Sequence, residues 1–237
     1  VTRNYSTKAY YLKADIGNYF NSIDKFILFE EIKKLVFEPW LLNLIEKIIF
    51  HDPKTNVRIK SPKSLIKKLP PYKSLYNTEQ YKGLPIGNLT SQFFSNIYLN
   101  KMDQYAKHIL KCKYYARYVD DIIILDKDHG FLNHAYYKLD NFIKSELKLW
   151  LNNKKKDINK ISKGFDFIGC CIKPGHRHLR KRIINKSYKA LNDWKKDPKR
   201  FDLDNLENYR NKINSYLGMF KHTNDYNIRK KIIDNSL

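Results

Sequence analysis

With 237 residues, 42% of them hydrophobic, the chain has enough apolar side chain for one sizeable core or two small ones, which excludes a disordered polyelectrolyte. Lys and Arg number 46 against 24 Asp and Glu, and the net charge of +22 favours nucleic acid over an acidic metabolite as partner. Cys112, Cys170 and Cys171 offer neither a disulfide framework nor metal-ligand spacing. No apolar run approaches the ~20 residues of a membrane span and the N-terminal stretch lacks a signal-peptide core, so the expected location is the cytoplasm.

In chain order, "AYYLKADI" (9–16) predicts a strand, and "SIDKFILFEEIKKLVF" from Ser22 spaces its apolar residues by three and four, as a helix does, with Ser22 or Asp24 as its cap. Residues 51–82 hold Pro53, Pro62, Pro70 and Pro71 and read as loop with short strands. After Gly87 a long helix is expected, with Phe94, Ile97, Tyr98, Met102, Tyr105 and Ile109 on one face. "KYYARYVDDIIIL" follows as strand, "HAYYKLDNFIKSELKLWL" as helix, "GFDFIGCCI" as a further strand and residues 173–178 as a turn. Beyond residue 150 basic charge is densest. There Leu203, Leu206, Tyr209, Ile213, Tyr216 and Phe220 form an apolar helical stripe beside the basic runs "RHLRKR", "WKKDPKR" and "IRKK", whose cations could follow a phosphate backbone.

Asp120 and Asp121 interrupt an apolar strand, and a buried ionised acid costs several kcal/mol unless it is paired or binds metal. A straight strand would send the two side chains to opposite faces, whereas a tight strand-turn-strand lets both serve one site. Taken alone, the pair also reads as an acidic surface turn. A third acid, Asp15, ends the first strand just before Gly17, and adjacent antiparallel strands would bring it to Asp120. Three converging carboxylates repel unless divalent cations sit among them, and hard oxygen ligands favour Mg2+. Two such ions clamp the attacking and leaving oxygens of an in-line phosphoryl transfer.

These segments carry a resemblance. "YVDD", flanked by "RY" and "IIIL", resembles the catalytic strand-turn-strand of reverse transcriptases, and "LKADIGNYFNSID" resembles their first palm motif. "KGLPIGNLTSQFFSNIYLN", "WLNNKKKDI" and "GFDFIGCCI" resemble, in the same order, the template-side loop and helix, the later palm motif and the primer-grip strand. Retroviral and group II intron enzymes typically carry Gln before that glycine and Pro after the serine. Here Ile86 precedes Gly87 and Gln92 follows Ser91, and with "LPPYKSLYN" and "INSYLGMFKHTNDYNIRKK" the chain resembles the reverse transcriptases of diversity-generating retroelements.

The resemblance implies an α+β fold: a right-hand polymerase palm, its antiparallel sheet backed by helices, with partial fingers over 1–175 and a basic helical thumb over 176–237. It implies Asp15, Asp120 and Asp121 as catalytic acids and metal ligands, with the Ile16 carbonyl joining them on the second of two Mg2+ ions, for which Mn2+ could substitute. Phe20 matches the aromatic gate that excludes a ribose 2'-hydroxyl, and packing in the core is its alternative reading. Lys155 matches the lysine that protonates pyrophosphate, against the plainer reading of a solvated lysine run. Ile86, Gly87, Ser91 and Gln92 would line the template and nucleotide pocket, and Tyr118 would lie beneath the primer end. The implied partners are template RNA, a cDNA primer or hybrid, dNTPs and a small basic accessory protein, and the implied activity is cDNA synthesis with errors opposite adenine. An amide at position 86 could hydrogen-bond near the nascent pair, whereas Ile86 offers shape alone, consistent with relaxed fidelity.

Reverse transcriptases of a group II intron, retron or defence system, and a non-catalytic nucleic-acid-binding module, are the alternatives. The family grips triphosphate with basic residues well before its first catalytic Asp, and fourteen residues precede Asp15 here. The expectation is a piece of a longer protein, without the fingers that activity needs.

Overall fold

The computed structural model describes residues 8–55, 60–66, 68–199 and 201–234. The chain divides into two compact units, Tyr10–Ile158 and, as far as it is described, Asn159–Leu237 with Val1–Ala9. In order, β1 (Tyr10–Asp15), α1 (Tyr19–Ser22), α2 (Lys25–Lys33), α3 (Pro39–Phe50), α4 (Lys63–Ile66) and α5 (Leu89–Gln104) lead to β2 (Tyr114–Tyr118), β3 (Asp121–Asp126), α6 (His129–Leu147) and β4 (Asp157–Lys160). The sheet order is β2-β3-β1-β4, and β3 pairs antiparallel with both β1 and β2.

Strand alternation decides what each face of this sheet does. Leu12 lies opposite Ile124 and Ala14 opposite Ile122; these four side chains are buried in one core with Tyr98 and Met102 of α5 and with Leu132 and Leu139 of α6. Each fully buried Leu or Ile contributes about 1.5–3 kcal/mol, so this helix-backed face holds the unit together. The other face carries Tyr11, Lys13 and Asp15 of β1 opposite Leu125, Ile123 and Asp121 of β3.

Several local expectations change. Of the two caps expected, Asp24 caps α2, accepting from the Phe26 and Ile27 N–H groups at 3.0 and 3.2 Å, while Ser22 ends α1. Among the described residues of 51–82, Lys82 pairs in a single bridge with Asp24, and the regular pieces are α4 and two 3-10 turns at Pro71–Lys73 and Leu75–Asn77 rather than strands. Proline removes the N–H donors that strands would need there. At its C-terminal end α5 passes into a π-helical turn, Tyr105–Ile109, which shifts the phase of the apolar stripe; Phe94, Tyr98 and Met102 are buried while Ile109 is 67% exposed.

In the second unit, "GFDFIGCCI" is two strands. β5 (Phe165–Phe167) turns through Ile168 and Gly169, both at positive φ, into β6 (Cys170–Lys173). Residues 174 and 175 form the next turn, and β7 (His176–Leu179) follows, so the segment expected as one long turn is already strand at His176. Among the described residues three helices complete the unit, α7 (Lys181–Lys196), α8 (Leu203–Lys221) and α9 (Tyr226–Asp234). Ile213 and Phe220 of α8 are buried with Leu179 and Ile232, whereas Leu203, at the other end of the expected stripe, is 86% exposed and outside this core. Buried Asp225 ties the helices to β7, accepting from the Leu179 N–H at 2.7 Å and lying 2.8 Å from His178 Nδ1. Among the described residues no helix is long and apolar enough to cross a membrane.

Candidate active site

Asp15 closes β1 and stands opposite Asp121, the first residue of β3. The Ile16 N–H donates to the Asp120 carbonyl at 3.3 Å, next to this pair, which makes Asp15–Asp121 a non-hydrogen-bonded pair, the kind whose side chains stand closer. Tyr118 also pairs with Asp121, leaving Val119 and Asp120 as a two-residue turn. Asp120 therefore sits at the tip of the hairpin, half-buried, beside two other acids. Its carboxyl is pushed above the usual range, first by burial and then by the charges of Asp15 and Asp121.

A strap of chain after α6 closes the site from the other side of β1. The Gly17 N–H donates to the Trp150 carbonyl at 2.9 Å and the Asn152 N–H to the Asp15 carbonyl at 2.7 Å, bridging Ile16 to Leu151. Glycine at position 17 lets the Trp150 indole lie against the backbone, since a Cβ there would run into the indole and displace it. Asp140 of α6 holds the strap from behind by accepting the Leu151 N–H at 2.8 Å, and Tyr136 Oη donates to Asn153 Oδ1 at 2.7 Å. The strap ends in the 3-10 turn Asn153–Lys155, which delivers Lys155 Nζ to 2.8 Å from Asp15 Oδ2. Hydrogen bonding to Asp15 raises the Lys155 pKa, against a smaller opposing effect of burial, and the nearby Asp15, Asp120 and Asp121 charges add to the rise.

The remaining candidates are distributed around this centre. Ile16 is buried beside Leu151. Phe20, on α1, is half-buried against the core, and its carbonyl accepts the Leu84 N–H at 2.9 Å. Ile86 is 75% exposed, and Gly87, at φ +107°, has open space where a Cβ would be. Gln92 is exposed on α5, but Ser91 lies on its buried face; Leu89 and Phe93 are the exposed apolar neighbours on that helix end. Tyr118 is exposed on the same sheet face as Asp121. Among the described residues no three His, Cys, Asp or Glu side chains converge as a ready-made metal cage, and the Asp15 carboxylate is held by Lys155. The donor chemistry still fits a hard divalent cation: three carboxylates near one strand end, with Asp120 disfavoured as an anion by burial and then by its acidic neighbours.

Sequence reasoning passed over a polar cluster under the turn. Arg117 and Tyr115 share the helix-facing parity of β2, and both reach Asp103 at the end of α5. No spacing rule links residues 103 and 117. The only signal was an arginine on the buried parity of a strand.

Residues 2–172 match the reverse transcriptase (RNA-dependent DNA polymerase) family over most of the chain, and the chain belongs to that family. No curated protein matches it in sequence. Among solved structures it is similar to telomerase from Candida Tropicalis in complex with a fragment of telomeric RNA, at 12% identity and a TM-score of 0.53, covering 90% of this chain and 38% of that one. This likeness shows the fold, an α+β palm with antiparallel sheet and backing helices. Apo telomerase from Candida Tropicalis, truncated from its C-terminal domain, is matched at 13% identity, TM-score 0.48, over 70% of this chain and 34% of that one. Telomerase from Candida albicans in complex with a fragment of telomeric RNA is matched at 13% identity, TM-score 0.46, over 95% of this chain and 40% of that one. The chain thus spans well under half the length of these structures.

Proposed function

We propose that the chain is the catalytic part of an RNA-directed DNA polymerase that copies a template RNA into cDNA, of the diversity-generating type. The observation that carries this reading is the pairing of Asp15 with Asp121 beside the Asp120 turn, in a chain of the reverse transcriptase family. In the reaction a primer 3'-hydroxyl attacks the α-phosphorus of a dNTP and the bond to pyrophosphate breaks. Asp15, Asp120 and Asp121, with the Ile16 carbonyl, would hold two Mg2+ ions. When bound, these supply charge stabilisation for the attacking and leaving oxygens.

Lys155 would give a proton to the departing pyrophosphate, a role supported by its ammonium lying 2.8 Å from Asp15 Oδ2, beside the acids. Phe20 would exclude the ribose 2'-hydroxyl, while Ile86, Gly87, Ser91 and Gln92 would border the nascent pair and Tyr118 the primer end. Of these, Ser91 would act through its place in α5, because its side chain is 3% exposed. Residues 1–175 would serve as palm with residual fingers and 176–237 as a basic thumb, its own core formed around Ile213 and Phe220.

The diversity-generating reading rests on Ile86 and Gln92 in place of the amide and proline of other groups, and implies a small basic accessory protein as partner. Sequencing cDNA made on a defined RNA template by the full-length protein with its accessory partner tests it. Errors concentrated opposite adenine support it. Uniformly accurate cDNA would assign the protein to a group II intron, retron or defence type instead.

A further inference from the structure

Val119, the first residue of the Val119–Asp120 turn, has φ +56°, a conformation that β-branched residues rarely adopt. A two-residue hairpin turn with positive φ at its first residue alone is of the kind that takes Gly there. The local sequence therefore does not favour the turn on which Asp120 sits, and something outside it must impose the shape.

We propose that Arg117 is a positioning residue for polymerisation, fixing the Asp120 turn to α5 through a guanidinium that touches both. The inference rests on the polymerase reading above. The side chain is 9% exposed. Its Nε and Nη2 donate to the two Asp103 carboxylate oxygens at 2.8 and 2.6 Å, and Nη1 donates to the Val119 carbonyl at 2.9 Å and to Asn96 Oδ1 at 3.2 Å. Tyr115 Oη donates to Asp103 Oδ1 at 2.5 Å and fixes the carboxylate in turn. Asn96 and Asp103 both belong to α5, the helix whose N-terminal end carries Ser91 and Gln92. One rigid fork thus joins the helix expected along the template to the carbonyl immediately before Asp120. Lysine keeps the charge and could keep Asp103, but a single ammonium cannot span Asp103, Asn96 and the Val119 carbonyl in this fixed geometry.

The test compares Arg117→Lys, Asn96→Ala and the double variant Arg117→Lys/Val119→Gly in the full-length protein. Misplacing a reacting group by about 1 Å costs on the order of 10²-fold, so Arg117→Lys should lower kcat by about that factor while KM for dNTP stays within about threefold. Asn96→Ala should give a smaller loss of the same kind. Glycine adopts positive φ freely, so adding Val119→Gly should return at least about tenfold of the lost kcat. Without metal or substrate, hydrogen exchange at the Asp120 and Ile122 amides should be faster in Arg117→Lys than in the parent and slow again in the double variant. Unchanged amide exchange, a lowered melting temperature with unchanged kcat, or a lost kcat that Val119→Gly does not restore, would reduce Arg117 to a stabilising ion pair and overturn the proposal. An inactive parent protein would instead contradict the polymerase reading, and the amide exchange would still judge the role of Arg117 in shaping the turn.

Discussion

Asp15 and Asp121 face each other across β1 and β3, two carboxylates directly opposed on adjacent strands where like charges destabilise. Lys155 offsets one of them. A divalent cation taken up by this end of the sheet would offset both, and a ligand bound only by the folded state stabilises it by about 2.7 kcal/mol at a hundred times its Kd. Mg2+ titration should therefore raise the melting temperature of the parent chain and leave that of Asp15→Asn/Asp121→Asn unmoved. An equal shift in both would place the ion elsewhere.

Gly17→Ala should be costly for a reason local to the site. The new methyl would fall on the Trp150 indole, and overpacking of this kind costs about 1–3 kcal/mol. Because the strap carries Lys155, the variant should lose activity beyond its loss of stability, and adding Trp150→Ala should recover part of the stability. Thermal melts of the single and double variants decide it.

Asp24 makes a pH-dependent contribution. Burial alone would raise its pKa, but the Lys148 ammonium at 2.6 Å and the Ile27 and Phe26 N–H groups outweigh burial and hold the carboxyl below its ordinary value. A depressed folded-state pKa contributes stability that is present above the unfolded value, about 4, and is lost as pH falls through the folded one. Asp24→Ala should cost about 1–2 kcal/mol at pH 7, as a lost helix cap does. Urea unfolding should show that difference shrinking as the solution is acidified below about pH 4.

Two positions on one helix separate core from surface in the second unit. Phe220→Ala removes a side chain that is 2% exposed and should cost about 3–5 kcal/mol. Leu203→Ala, at 86% exposure, should stay within about 0.5 kcal/mol. Denaturant midpoints of the two variants measure the contrast.

The parts of the fold legible in sequence were those set by short-range periodicity. The spacing of Phe94, Tyr98 and Met102 was visible because burial on α5 repeats at the helix's own period. Ile109 escaped because the π-helical turn changes that period without a residue that announces it. The turn in "YVDD" was expected, whereas the turn in "FIGCC" was not, because Ile168 is a strand-forming residue held at positive φ. In the site, the family resemblance named the acids and Lys155, and the structure brings Lys155 onto Asp15 from 140 residues away. Arg117, Asp103 and the strap held by Asp140 are long-range contacts between elements, which no local pattern encodes.

Primer extension on a defined RNA template with Mg2+ and dNTPs, by the full-length protein beside its Asp120→Ala/Asp121→Ala variant, tests the central claim most directly. The account predicts cDNA from the parent and none from the variant at equal folded concentration. Equal product from both, or none from a folded parent supplied with its accessory partner, would contradict it.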